Sequence, residues 1–395
     1  MMKLAKRSDI TASLTLAINA KAKQLKAQGI DVISFAAGEP DFPTPMHIKE
    51  AGKKAIDDNK TYYTPDSGIM ELKKAVSDKL RKENGLDYTV EEIIINSGAK
   101  HSVFNVLAVL VDEGDEVIIP SPYWVSYSEM VTILGGKPVF IPTSEKSRFK
   151  ITPEDLERAM SGKSKVLILN SPNNPTGAVF SRDELFSLAK VLEGRDIAVI
   201  SDEIYEKIIY EGNLHVSIAT YSDKIKQKTI VVNGVSKAFS MTGWRIGYCA
   251  GPKEVIGAVA KLQGHTCGNP TSISQYASLA ALQQDTSFLK DWVGEFKKRK
   301  DAIVRGLNAV EGVSCTDPQG AFYVFPKVSR LYGKTFRGVT LNGSMDLAGY
   351  LLDHGRIAVV PGKAFGADEY VRISFATSME NVLEGIKRFT EALKG

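Results

Sequence analysis

Cysteine is scarce: Cys249, Cys267 and Cys315 are the only three in 395 residues. An odd number at wide spacing excludes a disulfide framework and predicts a reducing compartment, the cytoplasm. Long apolar runs are also missing. The longest, around VFNVLAVLV (103–111), is too short to span a bilayer, so no membrane association is expected. MMKLAKRSDI leads into no sustained apolar segment, and no signal peptide is expected. Charge of one sign is lacking too. Fifty basic residues face 46 acidic ones, a net charge of +4, which leaves no electrostatic footprint for nucleic acid. The five histidines (His47, His101, His215, His265, His354) include no pair at helical spacing. With no cysteine cluster beside them, no metal site is expected. Low-complexity linkers and solenoid repeats are absent.

What is present is an ordinary globular composition, 43% hydrophobic and 24% charged, in a chain long enough for two or three domains at about 150 residues each. From residue 93 onward short β-branched runs recur: IIIN, EVIIP, PVFIP, VLILN, IAVIS and TIVV. Amphipathic segments such as SRDELFSLAKVLEG lie between several of them. Near-continuous apolar strands separated by helices predict a largely parallel sheet covered on both faces. After residue 285 a charged helical segment leads to FYVFP, IAVVPG and VRISFA and then a last helical pattern. That texture predicts a second, α+β domain, joined by the N-terminal helix at about 13–28.

The loops after these strands carry the chemistry: SGAKHS, SPYW, SPNNPTG, SDEIY and NGVSK. In an open parallel sheet they share one edge, where ligands bind. Lys237 and Arg245 stand in the apolar stretch NGVSKAFSMTGWRIG, and burying cations there is costly unless something pairs with them. SGAK opens a helix whose free N–H groups attract phosphate, and Arg245 suits the same anion. Trp124 offers a flat face to a heteroaromatic ring. Asp202 suits a protonated ring nitrogen, Asn174 and Tyr205 a ring hydroxyl, and Lys237 an aldehyde. Pyridoxal 5′-phosphate is the cofactor that uses all of these. Singly, each residue has a plainer role: Asp202 as a helix cap, Trp124 as core packing, Asn174 as a turn residue before Pro175, Arg372 in a structural ion pair, Tyr63 as a surface aromatic. Two other matches fail. SGKS (161–164) has Glu157 where a P-loop needs glycine, and GVSKA lacks the closing glycine of a nucleophile elbow.

In order and spacing, AGEPDF, YTPDSG, SPYWVSY, NSPNNPTGAV, SDEIYE and SKAFSMTGWRIGY resemble class I pyridoxal-phosphate-dependent aminotransferases, in the branch that includes aspartate and prephenate aminotransferases. The resemblance runs from residue 19 to residue 378. It implies a fold-type I α/β transferase: a mixed, mostly parallel seven-stranded sheet in a large domain (46–285) and a smaller α+β domain from both chain ends (1–45 and 286–395). It implies Lys237 as the Schiff-base lysine and proton shuttle, Asp202 on the pyridine nitrogen, and Asn174 and Tyr205 on the ring oxygen. Trp124 would stack on the ring. Gly98, Ala99, Lys100 and Arg245 would surround the phosphate, with Tyr63 of the partner subunit in a homodimer whose active sites lie at the interface. Arg372 would grip the substrate α-carboxylate, and Gly38, Trp124 and Asn174 would border the substrate.

The resemblance further implies ping-pong amino transfer between amino and 2-oxo acids, with L-aspartate and 2-oxoglutarate as the expected pair. A dicarboxylate needs a second grip on its distal end. Positions 8–20 offer no Lys or Arg, which leaves Ser13, Thr15, Lys100, His101 and His265 as candidates. Aromatic amino acids, or prephenate, form the alternative substrate class. Elimination or racemisation on the same fold is a further alternative. A regulator with an aminotransferase-like domain is disfavoured, since the 36 residues before AGEPDF show no DNA-binding pattern.

Overall fold

The computed structural model describes residues 2, 4–8 and 10–394. In chain order its strands are β1 (Ile33–Ser34), β2 (Ile93–Asn96), β3 (Glu116–Ser121), β4 (Lys137–Pro142), β5 (Ser164–Asn170), β6 (Ala198–Asp202), β7 (Thr229–Gly234) and β8 (Gly247–Ala250). β9 (Tyr323–Val324), β10 (Thr335–Phe336), β11 (Val339–Thr340), β12 (Ile357–Ala358), β13 (Val360–Pro361) and β14 (Val371–Ser374) follow.

Seven of them form one sheet in the order β2-β8-β7-β6-β5-β3-β4. Only β8 runs against its neighbours, β2 and β7; the pairs among β3 to β7 are parallel. The expected α/β architecture with a mixed, mostly parallel seven-stranded sheet is thus present. Alternate residues of one strand enter different cores. Ile119, Ile168 and Ile200 join one cluster, while Ile118, Leu167 and Val199 join the cluster on the opposite face, as the two-residue period of a strand requires. Coverage on both faces is why these strands are apolar throughout rather than alternating. Only β4, at the edge, is substantially exposed. Its Lys137, Pro138 and Pro142 suit an edge that must not recruit further strands.

Strand direction places the site. β2, β3, β5, β6 and β7 all end at one edge. Antiparallel β8 begins there, so Arg245, two residues ahead of Gly247, is delivered to the same edge. Gly247 makes this approach possible: a Cβ there would lie 2.2 Å from the Ala99 nitrogen.

The two chain ends meet beside that edge. β1 pairs in parallel with β12, Ile33 opposite Ile357, and β13-β14-β9 forms a separate three-stranded sheet. Helix Leu14–Ala27 starts at Ser13, whose hydroxyl accepts from the Leu16 N–H, and packs on β1, β12 and β13. Helix Met379–Ala392 packs on helix Phe288–Asn308. Among the described residues, no helix is long and apolar enough to cross a membrane.

Candidate active site

A cavity of ≈ 370 Å³ opens at the carboxyl edge of the sheet, between it and the β9–β14 pair. Eleven of the residues singled out from sequence line it: Thr15, Gly38, Ala99, Lys100, Trp124, Asn174, Asp202, Tyr205, Lys237, Arg245 and Arg372. Gly98 sits directly behind, with φ of 90°; a Cβ there would meet an Arg245 guanidinium nitrogen at 2.4 Å. Tyr63 is not brought to this cavity and stands 97% exposed.

Asp202 ends β6 and Asn170 ends β5, and the two are register partners. The Asn170 amide donates to the Asp202 carbonyl at 2.9 Å, and its oxygen accepts from the Asn174 N–H at 2.8 Å. This chain of bonds fixes the SPNNPTG turn against the strand end. The Asp202 carboxylate is buried, and burial pushes its pKa up to about 6. A hydrogen bond from the Tyr127 hydroxyl to Oδ2, at 2.5 Å, opposes that rise and favours the ionised form.

Lys237 lies in the turn after β7, and its ammonium donates to the Gly38 carbonyl at 2.5 Å. Burial lowers its pKa to about 8, helped by Arg372 and Arg245 and opposed by Glu39 and Asp202. An amine so placed exchanges a proton readily near neutral pH.

Arg372, on β14, is buried in spite of its charge. It donates to the Asn174 side-chain oxygen at 3.0 Å and to the Ala36 carbonyl at 2.8 Å. Tyr323 and Phe365 rings flank the guanidinium at 4.6 and 5.1 Å. Its Nε is buried without a partner, and among the described residues no carboxylate forms an ion pair with it. A buried cation held only by neutral groups is a receptor for an anion.

Arg245 donates to the Thr242 and Ser97 carbonyls at 3.0 and 3.2 Å, which aims it across the start of helix Ala99–Leu110. Helix geometry leaves the first-turn N–H groups of Ala99 and Lys100 free. Together these groups form a cradle for a phosphate. Trp124 meets the Tyr127 ring edge-on at 5.2 Å, with the Lys100 ammonium 5.0 Å from the indole centroid. The donor set therefore fits a flat, phosphorylated, nitrogen-containing aromatic aldehyde.

Sequence reasoning missed Tyr127 and Tyr323. Tyr127 follows Trp124 by three residues in SPYWVSY, a spacing that returns to the same side of a helical turn. Tyr323 gave no signal, because it lies in an apolar strand pattern that reads as core. Its hydroxyl lies 2.8 Å from that of Tyr205, and Gly38 leaves room for it: a Cβ at Gly38 would be 3.0 Å from the Tyr323 oxygen.

A family model for aminotransferases of class I and II matches residues 30–389. Aspartate aminotransferase of Bacillus subtilis (strain 168) is 46% identical over 395 residues, covering 99% of both chains. Aspartate/prephenate aminotransferase of Nitrosomonas europaea is 44% identical, covering 99% of this chain and 100% of the relative. The crystal structure of the aspartate aminotransferase from Rhizobium meliloti superposes with a TM-score of 0.96 at 44% identity, over 99% of each chain.

Proposed function

The chain belongs to the class I and II aminotransferases, and from that premise we propose that it is a pyridoxal-phosphate-dependent aspartate aminotransferase, moving the amino group of L-aspartate to 2-oxoglutarate. The observation that carries the substrate class is Arg372, a buried guanidinium with no carboxylate partner among the described residues, in one cavity with Lys237 and Asp202.

When bound, pyridoxal phosphate supplies an electron-accepting ring that stabilises negative charge developing on the substrate carbon. The protein's part is to place and protonate. Gly98, Ala99, Lys100 and Arg245 bind the phosphate, and Trp124 gives one ring face a flat support. Asp202 presents its carboxylate to the ring nitrogen and keeps that nitrogen protonated, while Asn174 and Tyr205 serve the ring oxygen. Arg372 takes the α-carboxylate with its planar fork, fixing the direction of the Cα–H bond. The Lys237 amine would take the proton from the substrate Cα and deliver it to the former aldehyde carbon of the cofactor rather than back to Cα. Gly38 borders the substrate, and its carbonyl accepts from the Lys237 ammonium whenever that amine is free.

Of the candidates for the distal carboxylate, Thr15 and Lys100 line this cavity. Ser13 and His101 line a wider neighbouring one, and His265 is exposed away from both. Lys100 has no ion-pair partner among the described residues, and burial together with Arg245 lowers its pKa. A substrate carboxylate relieves that imbalance. Lys100 thus serves the phosphate through its backbone and the distal carboxylate through its ammonium.

An aromatic substrate is the second reading. The neighbouring cavity, ≈ 1050 Å³ and lined by Ile10, Phe104, Tyr123, Met130 and Ile133 among others, offers apolar surface beside the site. Steady-state kcat/KM for aspartate, glutamate, tyrosine, phenylalanine and prephenate separates the readings. Tyrosine or phenylalanine ahead of aspartate by tenfold, about 1.4 kcal/mol, overturns the aspartate assignment and leaves amino transfer intact.

The working unit in this reading is a cytoplasmic homodimer. Each subunit has a large domain (46–285) and a small one (1–45 with 286–395), and each site is completed by Tyr63 of the partner subunit.

A further inference from the structure

Tyr323 occupies a position that neither the phosphate cradle nor the proton-transfer machinery accounts for. It is fully buried on β9, opposite Ser374 of β14. Side chains two apart on a strand share a face, so Arg372 lies diagonally across from it. Its ring covers the guanidinium at 4.6 Å, and its hydroxyl reaches the Tyr205 hydroxyl at 2.8 Å. Tyr205 comes from the large sheet's edge, and Tyr323 and Arg372 from the chain's C-terminal third. One side chain thus touches both the anion receptor and the tyrosine that faces the cofactor ring.

We propose that Tyr323 is a positioning residue whose hydroxyl directs the Tyr205 proton toward the cofactor ring oxygen while its ring steadies Arg372 for the α-carboxylate. The inference rests on the assignments of Tyr205 and Arg372 made above. Its physical basis is the direction of the hydrogen bond. Two phenols in contact share one proton, and the more acidic one donates. Burial makes both less acidic and Arg372 opposes this for both, most directly for Tyr323, whose ring it covers at 4.6 Å, while the Asp202 charge makes Tyr205 less acidic still. Tyr323 therefore donates and Tyr205 accepts, which leaves the Tyr205 proton to point into the cavity. The opposite direction would aim the Tyr323 proton at a region dominated by a guanidinium, which has no acceptor atom. Phenols that accept a hydrogen bond donate more strongly themselves, so Tyr323 strengthens the bond from Tyr205 to the ring oxygen.

A donor on the ring oxygen stabilises it as an anion and lowers the pH at which the loaded site loses its proton. The test is a spectrophotometric pH titration of holoenzyme for wild type, Tyr323→Phe, Tyr205→Phe and the double variant. Phenylalanine keeps every carbon contact of either tyrosine. Expected is an upward shift of the absorbance midpoint by roughly half a unit in Tyr323→Phe and a larger one in Tyr205→Phe. The double variant should titrate like Tyr205→Phe alone, because Tyr323 acts through Tyr205. An unshifted Tyr323→Phe beside a shifted Tyr205→Phe overturns the inference and leaves the assignment of Tyr205 standing. No shift in either overturns both. Additive shifts overturn the positioning role, since they put Tyr323 in direct contact with the cofactor. The ring's part is read from binding of succinate, an unreactive dicarboxylate. Tyr323→Phe should match wild type within about twofold, and Tyr323→Leu should weaken binding roughly fivefold or more. Undiminished binding to Tyr323→Leu removes the ring from the account.

Discussion

The Arg372 guanidinium donates to the Asn174 side-chain oxygen at 3.0 Å. The residue proposed to grip the substrate carboxylate thereby touches one proposed to face the cofactor ring. The contact sets the guanidinium's orientation with neutral acceptors alone. Lysine at position 372 would keep the charge and lose the fork. Arg372→Lys is expected to lower kcat/KM for aspartate by roughly 10²- to 10³-fold, the range for losing one partner of a desolvated charge pair. Cofactor absorbance should be retained. A loss under fivefold would show that the α-carboxylate is gripped elsewhere.

Tyr127 gives the pH dependence a handle. Its hydroxyl opposes the rise that burial imposes on Asp202, whose pKa lies at about 6. If Asp202 holds a protonated ring nitrogen, its carboxylate must be ionised, and activity should fall as pH drops through the Asp202 pKa. Tyr127→Phe removes the stabilising donor and raises that pKa further. The acid limb of kcat/KM should move to higher pH, with the alkaline limb in place. An unmoved acid limb contradicts the assignment of that limb to Asp202.

The six strands of the large sheet named from sequence and most residues gathered at its edge, though not Tyr127 or Tyr323, were legible in advance, while the mixed strand order came from the family resemblance. β-branched runs buried on both faces leave an unmistakable pattern, and each run was followed by a polar turn. β8 was overlooked because its four residues, GYCA, are too few to show a period beside the motif that precedes them. Partnerships between distant residues were invisible for another reason. The Tyr127–Asp202 bond joins residues 75 apart in sequence, and no local pattern encodes such a pairing. The same holds for a buried ion network directly behind Asp202. His215 has no second histidine at helical spacing, and its carboxylate partners leave no such pattern in the sequence. Its Nε2 lies 2.9 Å from Glu203 and 3.9 Å from Glu206. That trio has the composition of a metal site, but the Lys79 ammonium already sits on Glu206 and the Asn84 amide donates to it at 2.7 Å.

This network sets an acid limit on stability. Burial pushes the Glu206 carboxyl up, and Lys79, His215, Lys207 and Asn84 together bring it down to about 2. Its stabilising contribution is complete above the unfolded carboxyl pKa of about 4.3 and is lost as pH falls from there toward 2. Lys79→Met strips the buried Glu206 carboxylate of its nearest cation and leaves it to His215 and Asn84, with an expected loss of up to about 3 kcal/mol at neutral pH by urea denaturation. Lys79→Met with Glu206→Gln should recover much of it. Equal losses in the single and double variants would locate the damage in packing rather than charge.

Tyr63 poses the sharpest question about assembly. It stands 97% exposed beside Tyr62 at 79%, two large exposed rings that line neither of the two cavities described above. Adjacent exposed aromatics of this kind are characteristic of interfaces. If Tyr63 completes the partner's site, defects in Lys237 and Tyr63 complement each other. A hybrid of a Lys237→Ala subunit with a Tyr63→Ala subunit has one site with both defects and one with neither. Random mixing makes half the dimers hybrids, so about a quarter of wild-type activity should return above the summed parents, assayed at limiting cofactor. Sedimentation should show a dimer throughout. If Tyr63 served its own subunit, each hybrid site would carry one defect and nothing would be regained. A fully active monomer would dispose of the shared site altogether.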